Sequence, residues 1–84
     1  MKHATGARLS EISDLLGEIR TRAGLKEKKP GIFYRRSKSF LHFHEDPAGM
    51  FADLTIGADF VRYAVNTPQE QSSFLAALDR ALAG

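Results

Sequence analysis

The residues of this chain best suited to chemistry fall in one stretch, "FLHFHEDPAGMFADL", residues 40–54. His42 and His44 are two apart, so on a strand their Cβ atoms share one face at roughly 7 Å. Asp53 follows a turn-like EDPAG. Two imidazoles and a carboxylate form a recognised metal-ligand set. The same three groups could instead handle a proton, the carboxylate fixing one imidazole tautomer. Neither chemistry is complete here. H-x-H alone specifies no metal, and Arg62 lies in strand register with Asp53 and competes for it. The chain has no cysteine, and Ser37, Ser39 and Thr55 carry no nucleophile signature. No cofactor and no metal is therefore expected; a bound metal would take His42, His44 and Asp53.

These side chains must be positioned by the elements around them. The 84 residues suffice for one domain with one modest core. Leu9, Ile12, Leu15, Leu16 and Ile19 recur at helical spacing, which predicts an amphipathic helix over about 6–23 closed by Gly24. Residues 24–31, containing KEKKPG, read as a basic connector. From Ile32 to Val65 the period changes to two and the residues become aromatic and β-branched. Four strands emerge, separated by SK, EDPAG and GA, all too short for crossovers. Thr67, Pro68 and Glu70 then supply an N-cap, a first-turn proline and a capping box for a helix over about 68–83. The expected fold is α+β, a four-stranded antiparallel meander flanked by N- and C-terminal helices.

Hairpin pairing turns the meander into a map. A Gly57-Ala58 turn sets Asp53 opposite Arg62 and Leu54 opposite Val61; the EDPAG turn sets His42 opposite Asp53 and Leu41 opposite Leu54. A Ser37-Lys38 turn sets Phe33 opposite His42. One face then carries Ile32, Tyr34, Leu41, Phe43, Met50, Ala52, Leu54, Ile56, Val61, Tyr63 and Val65, the expected core. The other carries His42, His44, Asp53, Arg62 and Arg35 among Phe33, Phe40, Phe51 and Phe60. Four exposed phenylalanines make a patch that monomers rarely carry. That face is the expected binding surface, covered by a second copy in a homodimer or by a small anionic ligand.

Charge is unevenly spread. Residues 20–38 hold eight lysines and arginines against Glu27 alone, whereas residues 39–84 hold two arginines against six carboxylates. Such a cluster could attract nucleic acid, although lysine and arginine also favour helix C-termini for the dipole they meet there. The sheet order is not that of the common RNA-binding sheet domain. No apolar run approaches the ~20 residues of a membrane span, and the first residues lack a secretory apolar region, so a cytoplasmic setting and no membrane partner are expected.

The H-x-H strand, the turn and the aspartate strand, followed by a glutamate-containing helix start, resemble the small bacterial luciferase-domain family over about residues 31–82. The resemblance implies a shared site at His42, His44 and Asp53 in a bacterial protein, and implies no light-producing chemistry. Only Gly57-Ala58 separates the last two strands here, where that family has a longer segment. The leading expectation is a non-enzymatic binding or self-association module. The alternative is a small enzyme or metal-binding protein using His42, His44 and Asp53, and nucleic-acid binding through residues 20–38 comes third.

Overall fold

The computed structural model describes residues 2–84, with Lys2 described by its backbone alone. The chain begins with a two-residue strand, β1 (Lys2–His3), and a helical segment in three pieces: α1 (Gly6–Leu9), a 3-10 turn (Ser10–Ile12) and α2 (Ser13–Arg20). The single helix expected over 6–23 is thus interrupted. Leu9, Ile12 and Leu15 are three apart, a spacing that a 3-10 turn stacks in one line, and all three are buried.

The strands β2 (Lys26–Lys29), β3 (Ile32–Arg35), β4 (Lys38–Asp46), β5 (Gly49–Ile56) and β6 (Asp59–Ala64) form an antiparallel sheet in sequence order, and β1 pairs with β4 beyond the end of β3. The meander therefore has five strands rather than four, because the expected connector 24–31 contains β2. A lysine-rich strand is a normal edge, since charge there blunts pairing with other chains. Helix α3 (Pro68–Ala83) closes the fold. It starts as expected: Glu70 N–H donates to Thr67 Oγ1 at 3.1 Å, and Thr67 N–H donates to the Glu70 carboxylate at 3.1 Å.

All helical pieces pack on one side of the sheet. Leu15, Leu16 and Ile19 of α2 and Phe74, Ala77 and Leu78 of α3 join Leu41, Phe43, Met50, Ala52 and Leu54 in a single core. Arg22 ties the two ends together through Asp79, at 3.1 Å. At the start of β5, Asn66 accepts the Met50 N–H at 2.7 Å and donates to the Met50 carbonyl at 3.2 Å. Its side chain takes the place a Cβ on Gly49 would occupy, within 2.6 Å, so glycine is required there.

The registers of β4 with β5 and β5 with β6 agree with the hairpin map, including His42 opposite Asp53 and Asp53 opposite Arg62. The register of β3 does not. Its turn is Arg36-Ser37, both at positive φ (53° and 67°), and a bulge at Phe40 separates the Phe33–Leu41 pair from the Tyr34–Ser39 pair. One residue of slip turns a strand over. Phe33 is consequently 1% exposed in the core, Arg35 lies on the helix side, and Ile32 stands opposite His42 on the other face. Phe40, the extra residue of the bulge, also turns into the core. Ile56 and Val61, expected in the core, stay 45% and 43% exposed at the sheet's β6 end.

Candidate ligand-binding face

The sheet face away from the helices gathers the polar side chains singled out in the sequence. His42 and His44 alternate along β4, Asp53 stands opposite His42 on β5, and Arg62 stands opposite Asp53 on β6. Phe51 and Phe60 lie on the same face, opposite His44 and Thr55 respectively. Phe33, Phe40 and Arg35 do not, for the reasons of register given above. The phenylalanine patch is thus halved and the polar cluster dominates.

Asp53 is the hub. Arg62 grips it with two parallel hydrogen bonds, Nε to Oδ1 at 2.7 Å and a terminal nitrogen to Oδ2 at 2.8 Å. His44 Nε2 meets Oδ2 at 3.1 Å. The Arg62 guanidinium holds the Asp53 carboxyl below its usual range, outweighing the effect of burial, with His44 and His42 adding to it. The carboxylate therefore keeps its charge and fixes the His44 tautomer with the proton on Nε2. That leaves His44 Nδ1 as an acceptor, and it is buried with no partner among the described residues.

A third histidine completes the cluster. His3, on β1, stands opposite His44, with ring centroids 5.0 Å from His44 and 5.7 Å from His42. His42 hydrogen-bonds Ser39 through Nε2, a contact created by the bulge, which swings Ser39 onto the face of His42. Burial lowers the pKa of His42, and the neighbouring imidazoles of His3 and His44 lower it further against the opposing pull of Asp53. No feature of the sequence pointed to His3 or Ser39, since a two-residue strand has no periodicity and the bulge is silent.

The cleft over these groups holds about 300 Å3 and is lined by Ser39, His42, His44, Asp53, Thr55 and Phe60. Its catalytic capacity is limited by orientation. Asp53 supports His44, whose free nitrogen is buried, whereas His42, beside the Ser39 hydroxyl, has no carboxylate bound to its ring. Among the described residues no three histidine, cysteine or acidic side chains are arranged to hold a metal ion, and no helix is long and apolar enough to cross a membrane.

The basic segment 20–38 is divided. Arg20 is bound to Glu27 at 2.7 Å and Arg22 to Asp79, Lys28 sits 4.4 Å above the Tyr34 ring, and Arg35 donates to the Ala81 and Leu82 carbonyls. These groups face several directions and form no single stripe. Comparisons with known families, with curated proteins and with solved structures found no match; none of them bears on the resemblance of residues 31–82.

Proposed function

We propose that this protein is a non-enzymatic binding module whose open sheet face takes a small anionic ligand. The observation that carries this reading is the cleft of His42, His44, Ser39 and Thr55, in which Arg62 already neutralises the one carboxylate. A site with imidazoles and hydroxyls, no unpaired negative charge and an aromatic wall at Phe60 suits a compact anion. An anion beside His42 would raise its lowered pKa, so binding would draw a proton and weaken as pH rises above the lowered range of the free His42.

Malonate, a small dicarboxylate, is a suitable probe. Titrated into the full chain under NMR, it should move the His42 imidazole and the Thr55 and Phe60 amides. The response should fall at higher pH and vanish in His42→Gln. Shifts centred elsewhere, or unchanged in that variant, would sink the proposal.

A second reading rests on β6. This edge strand exposes Phe60 on one face and Val61 on the other, and apolar edges invite pairing with another chain. An antiparallel β6–β6 homodimer centred on Val61 would set Phe60 against Arg62 of the second copy. Sedimentation decides it: a dimer that Val61→Lys dissociates supports the pairing, and a monomer at 100-fold the working concentration rules it out.

A further inference from the structure

A larger cleft, about 540 Å3, opens where the β3–β4 and β5–β6 turns meet the C-terminal end of α3. Its polar lining residues are Arg35, Arg36, Lys38, Ser39, Thr55 and Arg80, and no acidic side chain lines it. Phe40 and Ile56 contribute apolar wall.

The cations here differ from those elsewhere in the chain. Of the seven arginines, Arg8, Arg20, Arg22 and Arg62 are paired with carboxylates. Arg35 is bound to helix carbonyls at 3.1 and 3.0 Å. Arg36 and Arg80 alone have no acidic or carbonyl partner among the described residues, and both line this cleft. Two unpaired guanidiniums beside an ammonium repel one another unless an anion joins them. The helix end would itself oppose an anion, because its carbonyls carry partial negative charge; Arg35 occupies two of those carbonyls and removes much of that opposition.

The turn adds an independent observation. Arg36 and Ser37 both adopt left-handed backbone conformations, where Asn-Gly would sit without strain. Non-glycine residues held in such conformations concentrate at ligand clamps. Here the strained turn projects a guanidinium at the mouth of the cleft.

We infer that this cleft is a phosphate subsite and that the ligand of the protein is a small phosphate ester. Its phosphoryl group lies among Arg36, Lys38 and Arg80, and its remainder reaches the histidine cleft. Ser39 and Thr55 line both clefts, so the two adjoin at these residues, at the end of the sheet where the ligand would pass from one to the other. The inference rests on the binding reading above only in joining the two clefts. Guanidinium forks match phosphate oxygens in pairs, and the combined volume suits a small molecule rather than a polymer backbone. The scattering of the other basic side chains argues against nucleic acid.

Pyrophosphate is the probe, titrated into the full chain under NMR at about 100 mM salt. Amide shifts are expected at residues 36–39, at Thr55 and Ile56, and at the end of α3. The double variant Arg36→Gln/Arg80→Gln should keep its spectral dispersion, because both side chains are exposed, and bind at least tenfold more weakly. Lys38→Gln should weaken binding a few-fold. Absence of shifts, shifts centred on β2, or equal binding by the double variant would overturn the subsite. A single-stranded oligonucleotide that binds more tightly than pyrophosphate through the same arginines would overturn the small-molecule assignment. If malonate still moves His42 when pyrophosphate fails, the phosphate subsite falls and the binding face stands. If malonate fails while pyrophosphate binds through the arginines, the joined site falls with the binding face.

Discussion

On the helix side of β4 and β5, Leu41, Phe43, Met50, Ala52 and Leu54 are at most 1% exposed. One residue along, His42, His44, Phe51, Asp53 and Thr55 keep partial access to solvent. The same two strands supply both sets, so the difference comes from the period-two alternation and from which side the helices cover. The covered face is held by apolar burial, worth roughly 1.5–3 kcal/mol per large side chain. The open face is held by directional bonds converging on Asp53, each worth far less when solvent is near. Specific chemistry can sit on the second face because the first secures the fold.

The largest test of this division uses two phenylalanines that alternation alone would place together. Phe33 is 1% and Phe60 58% exposed. Phe33→Ala should lower unfolding stability by about 3 kcal/mol or more, and Phe60→Ala by less than about 0.5 kcal/mol, measured by denaturant titration. A loss below about 1 kcal/mol for Phe33→Ala would return that residue to the open face and undo the β3 register.

Much of this contrast could be read from the residues beforehand. EDPAG and Gly57-Ala58 fixed two hairpins, and the strands they join alternate cleanly, so the pairings of His42, Asp53 and Arg62 followed. The register of β3 was hidden because Arg36-Ser37 carries no Asn-Gly signal for a turn with two positive φ values, and because nothing local marks a bulge at Phe40. Strand β2 was hidden because KEKK has no apolar face; its pairing comes from β3, not from its own preference. His3 was hidden because β1 is only two residues long and takes its place from β4. Local sequence thus reported the centre of the sheet, while its margins depend on tertiary partners.

The turn offers the next effect in size, with the opposite sign. Ser37→Gly removes a side chain from a residue at φ 67° and should raise stability by about 1 kcal/mol. Urea midpoints of the variant and parent measure it. Unchanged or lower stability would mean that the turn is not strained.

Asp53→Asn should lower stability by about 1 kcal/mol at pH 7, since the amide cannot satisfy both Arg62 and His44. The loss has a pH signature. Arg62 depresses the Asp53 pKa, so its contribution is complete above the unfolded value near 4 and is lost as pH falls through the folded value. The gap between parent and variant should therefore begin to narrow below about pH 4 and close as pH falls through the folded value. A constant gap down to pH 2 would point to packing rather than charge.

The smallest effect belongs to His42 and is read as a slope. Burial and the imidazoles of His3 and His44 lower its pKa, so the folded protein resists the proton that the unfolded chain accepts near pH 6.5. Stability should then decline as pH falls from about 6.5 through the folded value, and His42→Gln should flatten that decline. If the slope persists unchanged in His42→Gln, the proton enters elsewhere on the open face. Among the described residues the helix-covered face carries no histidine, and so the slope that His42 sets must be read on the side where Asp53 stands.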